Sequence, residues 1–204
     1  MGDIVRSTPD HTCLFQKASE QDGYFLAAQA RACGFNWDLL SHHTKTGRFI
    51  RLRRGLYRFR DYPSSPRAEV MEAWLAVGKD GTVVSHESAL ELLRLSDVIP
   101  DAVHISVPRS RRHLPKLSGV AVHTTTRLLR PGDTTVRQGI RVTAPARTIV
   151  DATEAGTAPE QIEMAVAQAV ERGMVTPEQL REGAAVRPTR VRQLVDQALA
   201  RVGP

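Results

Sequence analysis

Between Lys45 and Arg60 the chain carries Lys45, Arg48, Arg51, Arg53, Arg54, Arg58 and Arg60 and no acidic residue. Within that stretch, Phe49 to Arg60 alternates with period two on either side of Arg54-Gly55, which predicts a tight β-hairpin with those two residues as its loop. In the simplest register Leu52 faces Tyr57 and Ile50 faces Phe59 on one side, while Arg51 stands opposite Arg58 on the other. Like charges set across a ladder destabilise a hairpin. The arrangement makes sense where an anion lies between them, and the phosphates of a DNA backbone recur along each strand in every register. A solvated basic hairpin in a different kind of small domain is the competing reading.

The residues before the hairpin read as three helices. Thr8-Pro9 can open the first, which runs to Gln21 and breaks at Asp22-Gly23. The Ala-rich run Tyr24 to Cys33 favours a second, stopped by Gly34. Asn36 can cap a third over Trp37 to Lys45, closed by Gly47. Two short helices joined by a glycine-containing turn form a helix-turn-helix. Spacing turns Trp37 and Leu40 toward a core and leaves Asp38, Ser41, His42 and Lys45 on a polar face that can enter a major groove. With the hairpin as a wing, residues 1–62 read as a winged helix-turn-helix DNA-binding domain. Its candidate contacts are Ser41, His42, Lys45, Arg48, Arg51, Arg53, Arg54, Arg58 and Arg60.

The whole-chain charge agrees in sign, at +6 with a pI near 9.9. Arg dominates, Lys occurring only at positions 17, 45, 79 and 116. A GC-rich genome alone would produce that bias, so the local clustering carries the argument. Cys13 and Cys33 are too few for a disulfide scaffold and lack zinc-binding spacing, and they read as buried reduced thiols. Met1 to Arg6 contains no apolar signal core, and no stretch approaches the ~18 apolar residues of a membrane span. The expectation is a soluble, cytoplasmic protein with no membrane partner.

Asp61 to Pro66 is a Pro/Ser break and the expected boundary, leaving residues 63–204 as a mixed α/β domain with a C-terminal helical portion and the whole as an α+β fold. A helix is expected over Arg67 to Val77, a strand at Thr82 to Val84, and a helix capped by Ser85. Alternation over Val103 to Val107 and at Val120 and Val122 predicts half-buried strands. A three-residue loop, Arg137-Gln138-Gly139, would align Val136 with Ile140. Helices follow to Ala155, from a Thr157 capping box, from Thr176, and over Val191 to Val202. Arg109, Arg111 and Arg112 form a second basic patch, either a solvated loop or an auxiliary contact with DNA or a partner.

No catalytic, metal or cofactor site is expected. His86-Glu87 resembles the start of a zinc-protease helix, but Leu90 stands where the second His is needed. Arg147 and Asp151 fit an i, i+4 ion pair better than acid–base chemistry. Neither a phosphate-binding glycine loop nor a nucleophile elbow is present.

The order of several segments resembles the AbiEi family of antitoxins: Arg54-Gly55-Leu56-Tyr57-Arg58, Val84-Ser85-His86-Glu87-Ser88-Ala89-Leu90 and Val103-His104-Ile105-Ser106-Val107-Pro108. Gly119-Val120-Ala121-Val122-His123 and the run from Gly139-Ile140-Arg141-Val142 through Pro145-Ala146-Arg147 to Asp151 continue it. The resemblance implies a non-enzymatic antitoxin and autoregulator. It would bind operator repeats in its own promoter through the winged helix and counteract a nucleotidyltransferase-like toxin through its second domain. The alternatives are a metal-dependent nuclease or partner-modifying enzyme using Glu87, Asp151 or Glu154, and a ligand-sensing repressor with no toxin partner.

Overall fold

A computed structural model describes residues 8–114, 116–125 and 129–202. The chain divides into two compact units between Gly78 and Lys79. The first runs α1 (His11–Ser19), β1 (Tyr24–Leu26), α2 (Ala27–Ala32), α3 (Trp37–Lys45), β2 (Phe49–Arg53), β3 (Leu56–Phe59) and α4 (Ala68–Val77). Its three strands form an antiparallel sheet in the order β1-β3-β2. Leu14, Phe25, Phe35, Leu40, Phe49 and Tyr57 make the core, with Phe25 stacked on Tyr57 and edge-on to Phe49.

Several expectations for this unit need correction. Asp10, not Thr8, caps α1, its carboxylate accepting from the Cys13 amide at 2.9 Å. Tyr24 to Leu26 is a strand, not the start of a helix. The edge of β3 offers these residues backbone partners and Phe25 becomes fully buried, which suits the aromatic start of the run, while the alanines after it form the helix. Cys13 and Cys33 form a disulfide rather than two thiols, because α1 and the end of α2 bring their Cα atoms to 5.8 Å, within bridging range.

The hairpin loop is Arg54-Gly55, but a bulge at Leu52 shifts the pairing beyond it. Arg51 stands opposite Tyr57 and Ile50 opposite Arg58, so the expected Arg51–Arg58 confrontation does not exist. Phe49 and Phe59 pair instead, with their rings 5.0 Å apart. The expected boundary at Tyr62-Pro63 also moves. Arg58 donates to the carbonyls of Tyr62 and Pro63, and Arg67 reaches back to Asp22, so the Pro/Ser segment and α4 belong to the first unit.

The second unit comprises β4 (Val83–Val84), α5 (His86–Leu93), β5 (Val103–Pro108), β6 (Val120–Thr125), β7 (Thr134–Arg137), β8 (Ile140–Thr143), α6 (Pro145–Ala155), α7 (Pro159–Glu171), α8 (Pro177–Ala185) and α9 (Thr189–Val202). The strands make a mixed sheet in the order β6-β5-β4-β8-β7. Its centre reads as buried apolar strand, with Val83, Val84, Ile105, Val107, Ile140 and Val142 inaccessible. Helices α5 and α6 pack together, and α6 continues into the cluster of α7, α8 and α9. The turn between β7 and β8 is the two-residue Gln138-Gly139, which pairs Val136 with Arg141 and not with Ile140. Both turn residues take positive φ, the requirement of a tight hairpin turn matched to strand twist. Thr157 does not cap α7, since its hydroxyl donates to Glu87, whereas Thr176 and Gln179 form the capping box of α8.

The first unit is fastened at Asp22-Gly23. Asp22 adopts φ +53° and accepts two bonds from Arg67, at 2.8 and 2.9 Å, and one from Ser65. Gly23 has φ +82°, and a Cβ there would lie 2.4 Å from the Tyr62 ring. Gly23→Ala is therefore expected to destabilise the unit by both strain and clash. Burial pushes the Asp22 carboxyl upward, but the Arg67 and Ser65 bonds and the nearby guanidinium charges outweigh it and hold the group below its ordinary value. A depressed folded pKa contributes stability above the unfolded pKa, which is lost as pH falls through the folded value. Denaturant titrations should show the first unit weakening as pH drops below about 4. Asp22→Asn should flatten that dependence and cost about 2 kcal/mol at neutral pH.

Candidate functional site

Each unit presents one candidate surface. In the first, Asn36 caps α3 by accepting from the Leu39 amide at 2.9 Å, and Leu40 is the fully buried anchor of the helix. Asp38, Ser41, His42 and Lys45 are exposed as expected. Trp37 is exposed too, at 55%, and not in the core, because Leu39 rather than Trp37 accompanies Leu40 inward. His43 is turned inward against Phe35 and Phe49. Burial, with the Arg48 charge adding to it, pushes its pKa below the ordinary histidine value.

The hairpin arginines divide by environment. Arg48, Arg51, Arg54 and Arg60 are exposed, although Arg60 also donates to the Gly47 carbonyl. Arg53 lies 3.5 Å from Glu72, a partly exposed pair of small energetic weight. Arg58 is committed to the fold: it donates to the carbonyls of Asp22, Tyr62 and Pro63 and lies over the rings of Tyr24 and Tyr62. The loop is held from behind by the Ala27 amide, which donates to the Gly55 carbonyl at 2.8 Å. In the second unit, Arg109 and Arg111 form a single turn of 3-10 helix after β5. Arg109 and Arg112 are exposed, and Arg111 donates to the Asp80 carbonyl.

The second surface is a cavity of about 400 Å³ lined by residues that include His86, Ser106, His123, Arg147, Asp151 and Arg187. Sheet register builds one side of it. Parallel pairing of Ser106 with His123, and of His104 with Ala121, places His104, Ser106 and His123 on one face, since strand side chains alternate. His86 joins them from the first position of α5, in a left-handed conformation with φ +53°. His123 Nε2 lies 3.1 Å from His104 Nδ1, and the His86 and His123 rings stack at 3.7 Å. His86 Nδ1 is 2.8 Å from Ser85 Oγ, which also accepts from Ser106 Oγ. Burial, reinforced by the neighbouring histidines and the Arg147 and Arg187 charges, lowers the His86 pKa to about 3. Burial likewise lowers His104 and His123.

Helix α6 supplies the other side. Arg147 donates to Asp151 at 2.7 Å, the expected i, i+4 pair. Arg187 donates to the opposite oxygen of Asp151 at 2.6 Å and also pairs with Glu154. Asp151 is thus a buried carboxylate between two guanidinium groups, joining α6 to the approach to α9. Sequence reading found the first of these pairs and missed the second, because Arg187 is remote in the chain and its neighbours Arg190 and Arg192 suggested a basic helix start. It weighed His86 as a metal ligand and set it aside for want of a His at position 90, and it missed the grouping with His104 and His123, because the three share no spacing that marks a cluster.

A two-unit α+β chain of this kind is placed in a class by its second unit. Residues 82–200 match the family model described as the AbiEi antitoxin C-terminal domain, and the chain belongs to the AbiEi antitoxin family. Its class of function is accordingly that of an antitoxin in a toxin–antitoxin pair. Among solved structures, the fold is similar to the RV2827C protein from Mycobacterium tuberculosis, at 18% identity and a TM-score of 0.65, covering 93% of this chain and 75% of that one. No curated protein matches the chain. Among the described residues no helix is long and apolar enough to cross a membrane.

The buried position of Asp151 between two arginines makes its ion pairs costly to break from one side. Arg187→Ala, which leaves the carboxylate short of a partner, is expected to lower the stability of the second unit by about 3 kcal/mol. Thermal denaturation followed by circular dichroism checks this, and an unchanged midpoint would contradict it.

Proposed function

We propose that this antitoxin represses its own operon by binding promoter repeats through the first unit, which acts as a winged helix-turn-helix. The supporting observation is the run from Leu39 in α3 through the β2–β3 hairpin, where exposed Ser41, His42 and Lys45 adjoin exposed arginines with no acidic residue among them. The element order, three helices with a strand between the first two and then a hairpin before α4, suits a recognition helix followed by a wing. Ser41, His42 and Lys45 read base edges from α3, with Trp37 beside them. Arg48, Arg51, Arg54 and Arg60 contact phosphates, which fix position without specifying sequence. Arg58 is removed from the contact set, since its guanidinium is satisfied by backbone carbonyls, and Arg53 is a weaker candidate because Glu72 offsets its charge.

The toxin counteracted by the second unit is, on this reading, a nucleotidyltransferase. That step rests on family membership. The nuclease alternative draws no support from the carboxylates it would need, since Asp151 and Glu154 pair with Arg187 and Glu87 accepts from Thr157.

Binding to a duplex carrying the repeats should fall steeply with salt, and Arg51→Ala and Arg54→Ala should each weaken it on all sequences while reducing the salt slope by about one. Substitution of Ser41 or His42 should alter base preference instead. Arg58→Ala should lower thermal stability more than it lowers affinity in the remaining folded protein. Promoter affinity and salt slope left intact by the Arg51 and Arg54 changes would refute the assignment of the wing.

A further inference from the structure

We propose that His86, His104 and His123 form a binding site for a divalent ion of the zinc type in the second unit. One ring nitrogen of each histidine lies within 4.8 Å of the others, and the His104–His123 pair is already at 3.1 Å. Nitrogens bound to tetrahedral zinc at 2.0–2.1 Å stand about 3.3 Å apart, so two ligands sit near coordinating distance and the third within reach. The donor set decides the class of ion. Three imidazoles suit zinc and its transition-metal neighbours and disfavour calcium and magnesium, which take oxygen ligands. Thiolates do not compete, since both cysteines are joined to each other.

The surroundings are those of an outer ligand shell. If His86 Nδ1 donates to Ser85 Oγ, that fixes the tautomer and leaves Nε2 as the acceptor, the usual arrangement of a metal-bound histidine. Ser106 in turn donates to Ser85 and holds it in place. A left-handed backbone at a non-glycine residue costs on the order of 1 kcal/mol or more and persists at positions where a side chain must be aimed. His86 is such a residue. The Arg147 and Arg187 guanidinium groups that bear on His86 are ion-paired to Asp133, Asp151 and Glu154, which reduces the repulsion an incoming ion meets. His86 and His123 line the cavity, which gives access. Coordination would require the His86 ring to turn out of its stack with His123, because parallel stacked imidazoles cannot both direct lone pairs at one ion.

The test uses the full chain stripped with a chelator and dialysed. Calorimetric titration with Zn²⁺ should show one ion per chain with a Kd on the order of 1 μM or tighter, and saturating Zn²⁺ should raise the thermal midpoint by about 5 °C. Co²⁺ should give the visible absorption of a four-coordinate site made of three imidazoles and a water. His104→Gln and His123→Gln should each weaken Zn²⁺ by about 100-fold, and Ser85→Ala by about tenfold. His113→Gln, at an exposed position, should bind as the parent does. The Co²⁺ spectrum of the parent chain decides the matter even where a ligand variant fails to fold. Absence of Zn²⁺ binding and of the Co²⁺ spectrum in the parent would overturn the proposal. So would affinity unchanged in a folded His104→Gln, His123→Gln double variant, leaving the histidines as a hydrogen-bonded cluster only.

Discussion

The grip of Arg58 on the carbonyls of Asp22, Tyr62 and Pro63 organises the first unit. A guanidinium with several backbone acceptors holds three separated segments at once: the turn after α1, the strand β3, and the Pro/Ser connection to α4. Asp22 completes the fastening through Arg67 and Ser65. With Arg58 spent inward, the basic residues that the stretch from α3 to Arg60 leaves exposed are Lys45, Arg48, Arg51, Arg54 and Arg60. The electrostatic character of that surface thus follows from which arginine the fold consumes.

The sequence carried this unit unevenly. Glycine stops, the Asn36 cap and the period-two alternation around Arg54-Gly55 are local signals, and α3 and the hairpin stand where they indicate. What local pattern does not encode is which elements compete for the same backbone. Tyr24 to Leu26 opens an Ala-rich run that favours helix as a whole, and it becomes a strand because β3 offers it an edge and Phe25 fills the core. The bulge at Leu52 has the same origin. A strict two-residue register would separate Phe49 from Phe59, and aromatic packing outweighs it, moving Arg51 and Arg58 out of opposition. The disulfide depends on the approach of two helices and has no signature in the spacing of two cysteines.

In the second unit the legible parts were again the local ones, the alternating strands and the Arg147–Asp151 pair. The cavity required register. His104 and His123 come together because β5 and β6 run parallel with Ser106 opposite His123, and His86 arrives from a third segment through a left-handed residue. Arg187 reaches Asp151 from beyond α8. A buried carboxylate bridging two guanidinium groups ties α6 to the segment between α8 and α9, and it engages Asp151 in ion pairs where its sequence context also allowed acid–base chemistry.

In the proposed function, double-stranded promoter DNA meets the surface formed by α3 and the β2–β3 hairpin. Hydrogen–deuterium exchange of the intact chain, with and without a duplex containing its upstream repeats, reads that surface directly. Slowed exchange is expected to concentrate in residues 37–60, with the Arg54-Gly55 loop among the protected amides. Protection confined to the second unit, or absent from residues 37–60 while the duplex is demonstrably bound, would contradict it.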